Sequence, residues 1–489
     1  MFNSFEFPEV VLQLLNHIYI VTVWSIAILI VLENRNPVKT MSWVLVLILL
    51  PYAGLILYIF FGQNYRRQKI ISRKSIKQIE LINGYYDVLK NKFNIKKILL
   101  PSELEKHRKL ISLLFRNNHT LFTDNNQIKL LNNGSEKFPE LLNDIQRAKS
   151  FIHLEYYIFE DDNIGNTILQ ALFEKIKEGV EVRLIVDDVG SWHLKQKFFK
   201  KLRSGGIEVY PFLKVRFPFF TSKINYRNHR KIVVIDGKIG YTGGLNVADR
   251  YVKGVKKLGA WRDLHVKIEG DAVSSLQSIF ILDWYFVSRE RIKASKYFPE
   301  IIPTRKNNLR MQIAWSSPDS DWKTIEQAFF TAINGAEKYL YIESPYFLPT
   351  ESILMGLKTA ALSGTDVRLI VPGKSDAAIT EASSHSYLRE IMEAGVRVYF
   401  YQDGFLHSKL LITDDSLTAV GSANMDFRSF EDNFEVTAFI YDPDTAATAR
   451  ENFMSDLASS HEISLEEWKK RKRFRKFTES LARLFSPLL

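Results

Sequence analysis

The chain has 489 residues, no cysteine and a formal net charge of +11. That length allows about three domains and an ample hydrophobic core, while the lack of cysteine excludes disulfides, thiolate nucleophiles, zinc ribbons and iron–sulfur clusters. The positive charge favours an anionic partner, nucleic acid or an acidic membrane surface, and its placement along the chain decides between them.

Val10 to Leu32 is almost wholly apolar, and Met41 to Phe61 repeats the pattern after a short polar interval. Each is close to the ~20 residues that cross a bilayer, and apolar side chains cover every face rather than one stripe. Only Glu6 and Glu9 are charged before the first run, so the basic n-region of a cleaved signal is missing. The expectation is a hairpin of two transmembrane helices, about 10–32 and 41–61, within residues 1–65. Asn16 and His17 fall inside the first run and receive no chemical role. Glu33 to Thr40 carries Arg35 and Lys39, whereas Asn64 to Lys77 carries Arg66, Arg67, Lys69, Arg73, Lys74 and Lys77. The positive-inside rule then places the rest of this multi-pass chain in the cytoplasm, behind a basic juxtamembrane connector over 66–115.

From about Phe93 onward, short β-branched or aromatic runs alternate with helical stretches, the pattern of an α/β protein. Two halves read as copies. Val182-Arg-Leu-Ile-Val186 recurs as Val367-Arg-Leu-Ile-Val371, and Gly206-Ile-Glu-Val-Tyr210 as Gly395-Val-Arg-Val-Tyr399. So long a period means a duplicated domain rather than a solenoid. Two similar α/β lobes, each a sheet flanked by helices, are expected over 116–305 and 306–460. The remainder, 461–489, contains the basic run Lys469 to Lys476 and then Phe477, Leu481, Leu484 and Phe485 at helical spacing, the composition of a helix lying on an anionic membrane.

One element of the repeat carries chemistry. His229-Arg-Lys231 is followed by Asp236 and by Gly243-Gly244-Leu-Asn246, and the second half supplies His407-Ser-Lys409, Asp414 and Gly421-Ser422-Ala-Asn424. The internal spacing is identical in the two copies. His and Lys at i and i+2 of a strand share a face, so an imidazole and an ammonium can converge on one phosphate. The small residues Gly243, Gly244, Gly421 and Ser422 would let backbone approach a ligand, and Asn246 and Asn424 can donate to phosphate oxygens. Asp236 and Asp414 sit at turns beyond the strands, where fixing the turn is at least as good a reading as catalysis.

This pair of elements resembles the phospholipase D superfamily, in which two H-x-K-x4-D motifs from two like domains meet in one active site. The resemblance implies that His229, Lys231, Asp236, His407, Lys409 and Asp414 are the catalytic set. One histidine, by the common order His229, would form a phosphohistidine, and the other would protonate the leaving alcohol and deprotonate the incoming one. No metal and no cofactor are implied. The superfamily also has an acidic residue downstream of each motif, and Asp263 in Trp261-Arg-Asp263 and Glu435 in Asn433-Phe-Glu435 match it.

Within the superfamily the chain is similar to bacterial cardiolipin synthases. The likeness rests on Ser42-Trp43, Leu50-Pro51-Tyr52-Ala-Gly54, Asn225-Tyr-Arg-Asn-His-Arg-Lys231, Glu343-Ser-Pro-Tyr-Phe347, Gly421-Ser-Ala-Asn-Met-Asp-Phe-Arg428 and the terminal Leu484-Phe-Ser-Pro-Leu-Leu489. It implies a phosphatidyltransferase of the bacterial inner membrane that joins two phosphatidylglycerol molecules into cardiolipin and glycerol, with the anionic membrane surface as a partner and no nucleic acid. A hydrolase or a nuclease of the same superfamily would use the same histidines, but a nuclease needs neither membrane spans nor an amphipathic tail.

Overall fold

The structure is a computed structural model that describes residues 9–32, 37–50, 52–58, 101–215, 225–292, 294–302 and 308–489. Arg35, the end of the second apolar run and the basic residues from Arg66 to Lys77 lie outside the described residues. The N-terminal helices and the lobes form separate units.

In the first unit, α1 (Glu9–Leu32) is long and apolar enough to cross a membrane, and among the described residues it alone meets that length. The second run, expected as one span over 41–61, appears as two shorter helices, α2 (Pro37–Leu49) and α3 (Ala53–Leu57). The sequence explains the break. A proline at 51 has no N–H to donate and disfavours helical backbone in the residue before it, and Tyr52 takes a left-handed φ of 61°. Gly54 then donates to the Leu50 carbonyl at 2.7 Å. A Cβ on Gly54 would stand 2.4 Å from the Val46 oxygen, so only glycine lets α3 start this close to α2. Ile30, Leu47 and Tyr58 pack these helices together.

The second unit is built on one sheet. The first lobe contributes β1 (Thr123–Asn132), β2 (Phe151–Tyr156), β3 (Glu181–Asp187), β4 (Glu208–Phe212), β5 (Lys231–Ile235), β6 (Ile239–Gly243), the short β7 (Trp261–Arg262) and β8 (Leu264–Gly270). The second contributes β9 (Leu309–Ser316), β10 (Tyr339–Glu343), β11 (Phe347–Leu348), β12 (Asp366–Pro372), β13 (Arg397–Tyr401), β14 (Phe405–Leu406), β15 (Leu410–Thr413), β16 (Leu417–Gly421), β17 (Met425–Asp426), β18 (Glu435–Tyr441) and β19 (Ser460–Glu462). Fifteen of them pair in the order β4-β3-β2-β5-β6-β8-β1-β9-β18-β16-β15-β10-β12-β13-β19. Read outward from the β1–β9 junction, the two sides repeat each other: β8 answers β18, β5 answers β15, β2 answers β10. The β3 and β12 strands are the Val-Arg-Leu-Ile-Val copies. Both lie in parallel stretches and are covered on both faces, which is why they read as unbroken apolar runs.

Two features depart from the expected boundaries. The lobes share a continuous sheet through the β1–β9 pairing. Residues 101–118, assigned by sequence largely to the connector, pack instead on the second lobe. The helix Arg108–Asn118 buries Leu110, Ile111 and Leu114 in the core that holds Ile333, Leu340 and Phe439, and Asn118 donates to the Trp315 carbonyl at 2.6 Å. An amphipathic stripe declares that a face is buried, not what buries it.

Buried arginines tie the lobes together. Arg230 bonds to Asp283 within its own lobe and donates across to the carbonyls of Ser316 (3.0 Å) and Glu435 (3.3 Å). Arg262 reaches Asp456 at 2.7 Å. Removing one member of a buried charge pair strands the other in low dielectric at a cost of about 3–5 kcal/mol. Arg230→Leu is therefore expected to lower unfolding stability by about that amount, measured by urea denaturation of the detergent-solubilised protein. An unchanged midpoint would show that Asp283 finds another partner.

Candidate active site

His229 stands two residues ahead of β5 and His407 three ahead of β15, not within them. Each lies where its lobe reaches across to the other. The His229 N–H donates to the Phe434 carbonyl at 3.0 Å, and the His407 N–H to the Arg262 carbonyl at 2.7 Å. Beside His407, β14 pairs in parallel with β7 of the first lobe, and the Asn228–Phe434 bridge repeats that pairing beside His229.

The crossing continues in the side chains. His229 Nδ1 meets both Glu435 oxygens, at 3.0 and 3.1 Å, and His407 Nδ1 meets Asp263 Oδ2 at 2.6 Å. Each carboxylate orients the histidine of the opposite lobe. Hydrogen bonding to an acceptor at Nδ1 fixes the tautomer with its proton there and leaves Nε2 for chemistry. Burial, with the Lys409 ammonium adding to it, lowers the His407 pKa to about 3 against the pull of Asp263. Burial also lowers that of His229, with Lys231 adding to it and Glu435 opposing. Burial pushes the Glu435 carboxyl up, but His229, Lys231 and the Ser422 hydroxyl outweigh it and hold the group below the usual carboxylate range. The free protein at neutral pH thus holds neutral imidazoles.

The lysines lie behind the histidines. Lys231 Nζ donates to the His229 carbonyl at 2.6 Å, and Lys409 Nζ bonds to the His407 carbonyl and stands 3.0 Å from its Nδ1. Burial depresses them to about 7 and about 8.

Two of the four small residues, Gly244 and Ser422, stand against the carboxylates. A Cβ on Gly244 would fall 2.0 Å from Asp263 Oδ1, so the glycine makes room for that carboxylate. At the matching position, the Ser422 hydroxyl bonds to Glu435. Gly243 has φ 147°, and a Cβ there would meet His265, while one on Gly421 would meet Val436 and Thr437. Asn246 and Asn424 do face the cavity. Asn246 accepts from Ile158 N at 3.0 Å and donates to the Tyr251 hydroxyl at 2.6 Å, and Asn424 donates to Asp426 at 2.9 Å.

The structure places Asp236 and Asp414 at the turns beyond β5 and β15. The Asp236 carboxylate, at the far end of β5, accepts from the backbone N–H groups of Lys149, Ser150 and Phe151 at 2.7–2.9 Å. Asp414 does the same for Glu337, Lys338 and Tyr339 at 2.8–3.0 Å. Both take φ 52°, a left-handed turn that aspartate tolerates. Asp236→Ala should cost about 2–4 kcal/mol through lost acceptors and turn strain and leave the rate per folded molecule within about threefold. Loss of rate in a fully folded variant would place Asp236 in the chemistry.

His229 and His407 line one cavity of about 340 Å³. Arg227, Arg250, Arg428, Asn433, Tyr157, Tyr251, Trp261 and Tyr346 share its wall. His229 has the Tyr157 ring at a centroid distance of 4.9 Å, and Asn433 donates at 3.3 Å to the Glu435 that holds it. His407 is ringed by Trp261, Tyr251 and Phe405 at centroid distances of 5.2, 5.8 and 5.9 Å. Arg250 and Arg428 were legible, since each follows its asparagine by four residues in the two copies. Arg227 has no counterpart in the second copy, where Phe405 stands.

The two duplicated lobes thus bring two carboxylate-held imidazoles into one wall with three arginines. The chain matches the cardiolipin synthase, PLD-like domain family over residues 141–284 and 329–457, and the phospholipase D-nuclease N-terminal family over 19–63. It is 41% identical over 473 residues to a cardiolipin synthase of Halalkalibacterium halodurans, covering 96% of this chain and 92% of that one. It is 42% identical over 472 residues to cardiolipin synthase 2 of Bacillus cereus, covering 96% and 91%, and 40% identical over 477 residues to a cardiolipin synthase of Listeria monocytogenes, covering 96% and 98%. A solved phosphatidylserine synthase of Haemophilus influenzae, 16% identical, superimposes with a TM-score of 0.59 over 80% of this chain and 98% of that one, a likeness of fold. The chain belongs to the cardiolipin synthase family.

Proposed function

We propose that the protein is a membrane phosphatidyltransferase that converts two phosphatidylglycerol molecules into cardiolipin and glycerol. The observation that carries this reading is the shared cavity with both histidines in its wall, each held by the other lobe's carboxylate. His229 Nε2 attacks the phosphorus of one phosphatidylglycerol, the bond to the headgroup glycerol oxygen breaks, and that oxygen takes a proton from His407. A glycerol hydroxyl of a second phosphatidylglycerol then gives its proton to His407 and attacks the phosphorus. The N–P bond breaks, cardiolipin leaves, and His229 is restored.

His229 is assigned the attack by the order common in the superfamily, and Arg227, Asn433, Arg250 and Arg428 in the wall it shares with His407 supply cations and donors for the nonbridging oxygens. His407 must carry a proton in the first step although burial lowers its pKa to about 3. The negative charge of the entering phosphodiester, placed against it, supplies the opposing field.

The membrane setting rests on α1, on the relatives, and on the tail, whose helix Arg473–Arg483 leaves Phe474 and Phe477 78% and 65% exposed among lysines and arginines. The arginine and lysine count on either side of the second apolar run supports cytoplasmic lobes on the bacterial inner membrane.

Incubating the purified full-length protein with vesicles of phosphatidylglycerol alone is expected to release cardiolipin and glycerol in equal amounts. Phosphatidic acid and glycerol without cardiolipin would mark a hydrolase. With arginine side chains already placed for the phosphate, turnover is expected to persist in a chelator, and loss restored by one specific cation would contradict this scheme.

A further inference from the structure

In the terminal Leu-Phe-Ser-Pro-Leu-Leu run, Leu484 and Phe485 are exposed, whereas Leu489 reaches the cavity. Leu489 is part of the cavity wall, in a lining otherwise dominated by arginine, aspartate, asparagine and aromatic side chains. Its position is built. The Leu489 N–H donates to the Ser486 carbonyl at 3.3 Å. Ser486 is fully buried, with its hydroxyl 2.6 Å from that of Ser383 on the helix Ala378–Glu393. Just upstream in the tail, Arg483, the last residue of the helix Arg473–Arg483, pairs with Glu390 of Ala378–Glu393 at 2.7 Å and lies over its Tyr387 ring at 4.0 Å. The start of this helix, Ala377 and Thr380, is itself cavity wall, so one rigid element holds both the segment and the site.

We propose that Ser486–Leu489 is a positioning element that closes one side of the active site against water and so sets the ratio of transfer to hydrolysis. This rests on the histidine mechanism above. The phosphohistidine N–P bond can break by attack of a glycerol hydroxyl, giving cardiolipin, or of water, giving phosphatidic acid, the proton passing to His407 in either case. The isobutyl side chain of Leu489 offers water no hydrogen bond and leaves the space to the lipid headgroup.

The test measures cardiolipin and phosphatidic acid made by the full-length enzyme from phosphatidylglycerol vesicles. Leu489→Asp and Leu489→Gly are expected to lower the cardiolipin-to-phosphatidic-acid ratio roughly tenfold, and Leu489→Ile to restore it to within about twofold, since apolar pocket contacts discriminate on this scale. An unchanged ratio in both disruptive variants, or loss of both products in both, overturns the proposal. His229→Ala run alongside separates the two readings: product from that variant refutes the histidine mechanism, whereas its silence with an unmoved ratio at Leu489 refutes only the wall.

Discussion

His229→Ala and His407→Ala are each expected to reduce cardiolipin formation by roughly 10⁴-fold or more, because residues acting as one unit are lost together when either is removed. The motif copies are not two sites of half activity. Both imidazoles stand in one cavity wall, and neither lobe alone orients its own histidine. Each variant should still fold: both side chains are small parts of a large core, and the Arg230 and Arg262 ties between lobes are untouched. Activity of the purified variants, normalised to folded protein by circular dichroism, checks this. About half the normal rate in either variant would mean two independent sites.

The second large effect comes from the carboxylates. Asp263→Asn and Glu435→Gln keep size and hydrogen-bonding capacity but remove the charge that holds each Nδ1 proton in place. In a serine protease the equivalent change costs ~10⁴ in rate, and a loss of about 10²–10⁴ is expected here. The effect should be crossed. Asp263→Asn, a change in the first lobe, disables His407, so it should impair release of a poorly leaving alcohol more than release of a good one. Glu435→Gln acts on His229 and should slow both alike. The rates of phosphatidylglycerol and of a p-nitrophenyl phosphatidyl ester, compared in the two variants, read this out. The reverse pattern would exchange the roles of the histidines, and a loss below about threefold in both would make the carboxylates structural.

The duplicated core was legible because its signals are local. The spacing from His229 to Asn246 and from His407 to Asn424 records one strand–turn–strand unit whose length cannot change without breaking β5–β6 or β15–β16 pairing. The Val-Arg-Leu-Ile-Val copies were legible for the same reason. What links the copies was not. His229 is 206 positions from Glu435 and His407 is 144 from Asp263, and a motif followed by an acid in each half points to pairing within a half as readily as across. Gly244 read as a place for ligand because nothing local shows that the Asp263 carboxylate occupies the space. Asp236 and Asp414 carried a mixed signal: an aspartate that opens a turn is a turn residue first, and the backbone N–H groups it holds lie in a distant strand start. The break in the second apolar run was written in Leu50-Pro51-Tyr52, but hydropathy counts composition and passes over a proline.

The central claim is one covalent relay through two histidines with distinct roles. It is tested most directly by trapping the intermediate with the p-nitrophenyl phosphatidyl ester, whose leaving group needs no proton. In His407→Ala, attack should proceed while the acceptor goes undeprotonated, so a phosphatidyl adduct should accumulate and map to His229 by mass spectrometry under basic quench. His229→Ala should give no adduct. An adduct on His407 in the His229→Ala protein, or none in either variant with p-nitrophenol still released, would contradict the relay.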